Sequence, residues 1–133
     1  LFGMTAGSFE EGSGLTELEA PKGPPEVFVI AGAGSGRRIF RQLQRKGIPF
    51  VTGIIYENDI DYPTAKALAV HVVSEQAFEK VSDEKCEEAK KWIERCESVI
   101  CCRKTFGALE EANASLFDYA KRCGKLKEKT ITG

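Results

Sequence analysis

The sequence is short of histidine, tryptophan and methionine. It has one histidine, His71, one tryptophan, Trp92, and one methionine. No Walker A pattern G-x-x-x-x-G-K-[ST] occurs, so the chain does not hold and hydrolyse ATP in the P-loop manner. Neither G-x-S-x-G nor H-E-x-x-H occurs, and His71 has no serine or cysteine nucleophile placed by a local motif. A catalytic triad therefore cannot be argued, and His71 is expected as a packed or edge histidine. The five cysteines, Cys86, Cys96, Cys101, Cys102 and Cys123, form no C-x-x-C pair, and their number is odd. Zinc spacing and a secreted disulfide framework both fit poorly, and free thiols in a reducing cytoplasm fit better. Net charge is -1, which gives no global attraction to nucleic acid or membrane. No apolar run approaches the roughly 20 residues of a membrane helix, and no signal-peptide pattern is visible. The first residue is Leu1 rather than Met, so the chain is expected to be a piece of a longer protein.

What is present is a strand-like run that stops at a glycine cluster. Residues 27–36 read V-F-V-I-A-G-A-G-S-G, and a basic helical segment follows. Strands are expected at 27–31, 50–56, 70–73, 98–102 and 129–132, with helices at 37–46, 62–69, 83–96 and 108–122. The connection 74–81 has room for one helical turn. Ser82 and Asp61 stand where helix N-caps belong, and Gly47 and Gly124 where helices stop. Regular alternation of strands and helices predicts a three-layer, Rossmann-like α/β domain over 26–133, with a parallel sheet of about five strands. Order 3-2-1-4-5 is the first expectation and 2-1-3-4-5 the alternative. Residues 1–25 carry five glycines and three prolines and read as a linker or a hairpin.

In such a sheet ligands sit beyond the carboxyl ends of the strands, where the strand order reverses. Gly32, Gly34, Ser35 and Gly36 would offer backbone donors to an anion, with Arg37 neutralising it. Arg37 replaces the third glycine of G-x-G-x-x-G, which weakens the dinucleotide fingerprint. Glu57, at the end of the second strand, and Asp59 would accept from ligand hydroxyls. Arg103 and Thr105 follow the fourth strand at the same crevice, and Asn113 would reach it from the last helix. Cys101 and Cys102 should face opposite sides of the sheet. Arg37, Arg38, Arg41, Arg45 and Lys46 fall on one helical segment with no acid among them. That face suits a phosphate, a protein partner or plain solvent. Without interleaved aromatics, nucleic acid is not expected as a partner.

The run V-I-A-G-A-G-S-G-R-R-I-F-R-Q-L at 29–43 resembles the start of a C-terminal extension found on some ABC transporter ATP-binding subunits of the cobalamin or iron-siderophore type. So do Asn58-Asp59-Ile60-Asp61 followed by Thr64-Ala65-Lys66-Ala67-Leu68, and the later Phe106, Gly107, Asn113 and Leu116. Ala33 stands where that pattern usually has glycine. The resemblance covers about residues 26–133. It implies a cytoplasmic accessory domain beside a transporter's motor, with transporter subunits as partners. Combined with the loop, the expectation is a non-catalytic regulatory or small-ligand-binding domain. Its cofactor is not identified beyond a nucleotide or other anionic small molecule. Two alternatives stand beside it: an NAD(P)-binding oxidoreductase fragment, and a structural dimerisation module that forms a homodimer.

Overall fold

The computed structural model describes residues 23–57, 59–76, 80–103, 105–107 and 110–127. The expected hairpin or linker within 1–25 lies almost wholly outside them, as does the strand expected at 129–132. Among the described residues five strands and four helices alternate: β1 (Val27–Ile30), α1 (Arg37–Arg45), β2 (Phe50–Tyr56), α2 (Tyr62–Leu68), β3 (His71–Gln76), α3 (Asp83–Arg95), β4 (Ser98–Cys101), α4 (Glu111–Arg122) and β5 (Leu126–Lys127). The sheet is parallel throughout, in the order β3-β2-β1-β4-β5. This is the first of the two expected orders. The order reverses between β1 and β4, next to the glycine loop.

The central strands are apolar on both faces because both faces are covered. Val27 and Val29 pack with Phe40 and Leu43 of α1 and with Ala65 and Leu68 of α2. Phe28 and Ile30 point the other way and pack with Ala89 and Ile93 of α3 and with Leu116 and Ala120 of α4. Phe40 and Phe50 stack at 5.3 Å between ring centroids. Each such fully buried side chain contributes on the order of 1.5–3 kcal/mol.

Two boundaries differ from expectation, each for a physical reason. β3 runs to Gln76 rather than stopping at residue 73, because seven-residue β2 extends the ladder through Ile54↔Ser74, Ile55↔Glu75 and Tyr56↔Gln76. A strand at the sheet edge tolerates the polar residues that seemed to end it. Leu126 and Lys127 pair with Val99 and Ile100 as β5, and the strand expected at 129–132 lies outside the described residues. Helix α4 begins at Glu111 rather than 108, since Glu110 is held in a turn before it by its own side chain, as described below.

Ser82 caps α3 as expected, its hydroxyl accepting from Lys85 N–H. The other end of α3 is closed from a distance. Lys125 donates its ammonium to the carbonyls of Ile93 (3.1 Å), Cys96 (2.8 Å) and Glu94. A cation there suits the negative end of the helix. His71 stands on edge strand β3, bonded to Glu88 at 2.9 Å and tilted against Trp92. No helix among the described residues is long and apolar enough to cross a membrane.

Candidate functional site: a carboxylate-capped glycine loop and an arginine groove

The loop after β1 turns tightly on Gly32 and Ser35. The Ser35 hydroxyl accepts from Gly32 N–H (2.9 Å) and donates to the Gly32 carbonyl (2.8 Å), while Ser35 N–H donates to that same carbonyl (3.1 Å). Gly34 sits at φ +75°, a left-handed conformation that glycine adopts without strain.

The remaining loop amides point at carboxylates of the protein itself. Ala33 N–H donates to Glu110 (3.0 Å) and Gly34 N–H to Asp59 (3.1 Å). Gly36 and Arg37 N–H donate to the two oxygens of Asp61, at 2.8 and 3.2 Å. Every N–H from Gly32 to Arg37 thus has a partner. The start of α1, where a free anion would be attracted, already holds the buried carboxylate of Asp61. Arg37 approaches the same carboxylate through Nε at 3.6 Å. Asp61 stands at the N-cap position of α2, as expected, but makes no side-chain cap there. Its carboxylate serves the neighbouring helix instead.

The crevice between β1 and β4 is filled in the same way. Glu110 accepts from Ala33 N–H, from Gly107 N–H (2.8 Å) and from Arg103 Nη1 (3.3 Å to each oxygen). The Arg103 side chain lies flat on Gly32. A Cβ at Gly32 would stand 2.2 Å from Arg103 Cδ and 2.6 Å from Glu110 Oε1, so a larger residue there would force both side chains to move. Asn113 is buried and donates to the carbonyls of Ala31 (3.0 Å) and Ile54 (3.1 Å), which ties the ends of β1 and β2 to α4. Burial, and then the nearby Glu110 charge, push the Tyr56 hydroxyl above its ordinary pKa.

The structure therefore brings Gly32, Gly34, Ser35, Gly36, Arg37, Asp59, Arg103 and Asn113 together around the reversal point. Glu57 and Thr105 are exposed on loops beside it. Residue-by-residue reading missed Glu110 and the part Asp61 plays at α1. Glu110 meets Ala33 across 77 positions of sequence, and no local motif announces that contact.

The open space lies on the outer side of the loop. A groove of about 660 Å³ is lined by Gly34, Ser35, Arg37, Arg38, Arg41, Gln42 and Arg45. Helix α1 has no acid in its first turn, and among the described residues Arg38, Arg41 and Arg45 enter no ion pair. Like charges three and four residues apart on a helix repel. Gln42 adds a buried side-chain oxygen with no partner among the described residues.

Cys101 and Cys102 face opposite layers, as expected. Burial, followed by the Cys101 and Asp61 charges, pushes the Cys102 thiol up to about 12, and burial pushes Cys96 up to about 11. Both are therefore protonated and poorly reactive at neutral pH. Exposed Cys123 should be the first to react with a thiol reagent, half-buried Cys102 more slowly, and buried Cys96 only on unfolding. Time-resolved labelling followed by peptide mass mapping checks that order. Among the described residues no group of three His, Cys, Asp or Glu side chains could hold a metal ion.

Comparison with known proteins gives this architecture a family. Residues 50–128, from β2 through β5, match the model of the MJ0874 family. Uncharacterized protein MJ0874 of Methanocaldococcus jannaschii is 35% identical over 72 residues, which cover 54% of this chain and 77% of that protein. No solved structure matches. The likeness to an ABC transporter ATP-binding subunit is thereby overturned: both matches lead to MJ0874, neither to a transporter component. The expectation of cobalamin or iron transport falls with it. The motifs behind that likeness have a local explanation, since Asp59 and Asp61 of N-D-I-D cap the glycine loop. The match begins after α1, so the arginine groove lies outside the matched residues. More than half of the chain falls within one family model, and the chain belongs to the MJ0874 family.

Proposed function

We propose that this chain is a non-catalytic binding module that receives an anionic ligand in the groove between the glycine-loop tip and α1. The observation that carries this is the set of guanidiniums of Arg38, Arg41 and Arg45, which line one open groove and enter no ion pair among the described residues. Ser35 and Gly34 form the end of that groove, and Arg37 reaches it while 46% exposed. A phosphate or carboxylate there would relieve the repulsion along the helix and gain charge-assisted hydrogen bonds. The ligand is expected on the arginine side chains rather than on the loop amides, which already face Asp59, Asp61 and Glu110.

An NAD(P)-binding oxidoreductase draws less support, because the amides that would hold its pyrophosphate have carboxylate partners. Dimerisation through the N-terminal segment rests on residues outside those described. A cytoplasmic setting is the reading that suits five free cysteines.

Calorimetric titration with inorganic pyrophosphate at low salt tests the proposal. Trp92 packs in the layer opposite α1, so its fluorescence is a poor reporter. Binding should weaken about tenfold or more in Arg41→Glu, since a hydrogen bond to a charged group contributes roughly 1.5–3 kcal/mol. Affinity should also fall steeply with salt. Equal affinity in wild type and Arg41→Glu would remove the groove from consideration.

A further inference from the structure

We infer, resting on the reading above, that the groove recognises a row of linked phosphates and makes no contact with a base. Two observations lead there. The first is length. Arg37, Arg41 and Arg45 follow one another at every fourth residue, and Arg38 and Gln42 run beside them. At 1.5 Å per residue the two ends of that series stand about 12 Å apart along the helix. A single phosphate cannot satisfy guanidiniums at both ends without drawing long side chains together against their own repulsion. A chain of phosphates meets them where they stand.

The second is the chemistry of the walls. Sites that hold a nucleobase are lined mainly by apolar and aromatic side chains. Among the described residues the lining is two small loop residues, one amide side chain and four arginines, and the apolar side chain nearest its end is Ile60, beside Gly34. Phe40 and Leu43, the apolar residues of α1, are fully buried on its other face. The acid expected to read a ribose, Glu57, is not among the groove residues. Phosphate is the part of a nucleotide that this surface can read.

The test is a titration series at constant ionic strength with inorganic phosphate, pyrophosphate, tripolyphosphate, AMP, ATP, GTP and a short single-stranded oligonucleotide. Tripolyphosphate should bind at least about tenfold more tightly than inorganic phosphate, and ATP and GTP should agree within about twofold, because arginine–phosphate pairs add along the chain while the base adds nothing. Arg45→Glu, at the far end, should weaken binding by a factor that grows with the number of phosphates. Arg45→Ala should do the same in smaller measure, and an unchanged melting temperature shows that both variants fold. The tighter of the tripolyphosphate and oligonucleotide arms identifies the source of the phosphates, a linked polyphosphate or a phosphodiester chain. Inorganic phosphate binding as tightly as tripolyphosphate, or ATP and GTP differing by more than about tenfold, would overturn the inference. If anions bind and Arg41→Glu weakens them, but chain length has no effect, the inference fails and the groove stands. If Arg41→Glu changes nothing, the groove itself fails.

Discussion

Replacing Glu110 by alanine should destabilise the protein by about 3–4 kcal/mol, because removing one partner of a buried ion pair leaves the other charge without compensation. Glu110 is only 7% exposed, and three donors converge on it: Ala33 N–H, Gly107 N–H and the Arg103 guanidinium. Its loss takes the carboxylate acceptor from both amides, which lie on exposed residues and fall back on water, and releases the turn before α4. Arg103 is about one-third exposed and can turn to water, which keeps the loss below that of a fully buried pair. The reverse substitution, Arg103→Ala, should cost less, about 1–2 kcal/mol, since Glu110 keeps its two amide donors. Glu110→Gln should fall between the two, as an amide oxygen can still accept. Urea unfolding of the three variants checks the order. Arg103→Ala proving more damaging than Glu110→Ala would mean that the arginine, not the carboxylate, holds the crevice.

Asp61→Ala should cost about 2–4 kcal/mol, a cap lost from a helix together with buried amides left unpaired. Both oxygens of Asp61 are in use on Gly36 and Arg37 N–H, and the side chain is 1% exposed, so water cannot take its place. For a domain of this size the loss corresponds to a drop in Tm of order 10–20 °C. Asp61→Asn keeps one acceptor but turns an NH2 towards a backbone N–H, so it should recover only part of the loss. The more telling control is Asp59→Ala. Asp59 accepts from Gly34 N–H in an exposed position and from Asp61 N–H, and its removal should cost under about 1 kcal/mol. Thermal unfolding of the three variants separates a structural carboxylate from a peripheral one. An Asp61→Ala protein as stable as wild type would mean that the start of α1 is not held by this residue.

The sheet was legible because its signals are local. β1 and β2 are uninterrupted apolar runs, and the pattern of helices between them leaves few topologies open. The helix stops were legible in Gly47 and Gly124, both at φ +70°. β3 was cut short because its second half, Ser74-Glu75-Gln76, carries no apolar signal, and only pairing with β2 makes it a strand. The site was legible in part. Glycines at the end of a first strand mark the right loop, but four of the six amides from Gly32 to Arg37 find their partners 24 to 77 residues away. An acid in a loop reads the same whether it faces a ligand, water or a backbone amide. Asp61 shows the difference: its position suggests a cap for α2, and its carboxylate instead caps α1 across the sheet end. The arginine groove was visible as a run of basic residues, and the fold adds that the same turns of α1 bury Phe40 and Leu43 behind it.

The glycine loop is closed by the protein's own carboxylates, and the proposed anion meets the arginine face beside it. Titrating 15N-labelled protein with tripolyphosphate and following amide and guanidinium resonances tests this most directly. Changes should concentrate on the Nε–H signals of Arg38, Arg41 and Arg45 and on the amides of Gly34, Ser35 and Gln42, with Gly32, Ala33 and Gly36 N–H nearly still. Largest shifts at Gly32, Ala33 and Gly36, with the arginine Nε–H signals unmoved, would contradict it, because the ligand would then have displaced Glu110 and Asp61 from the loop.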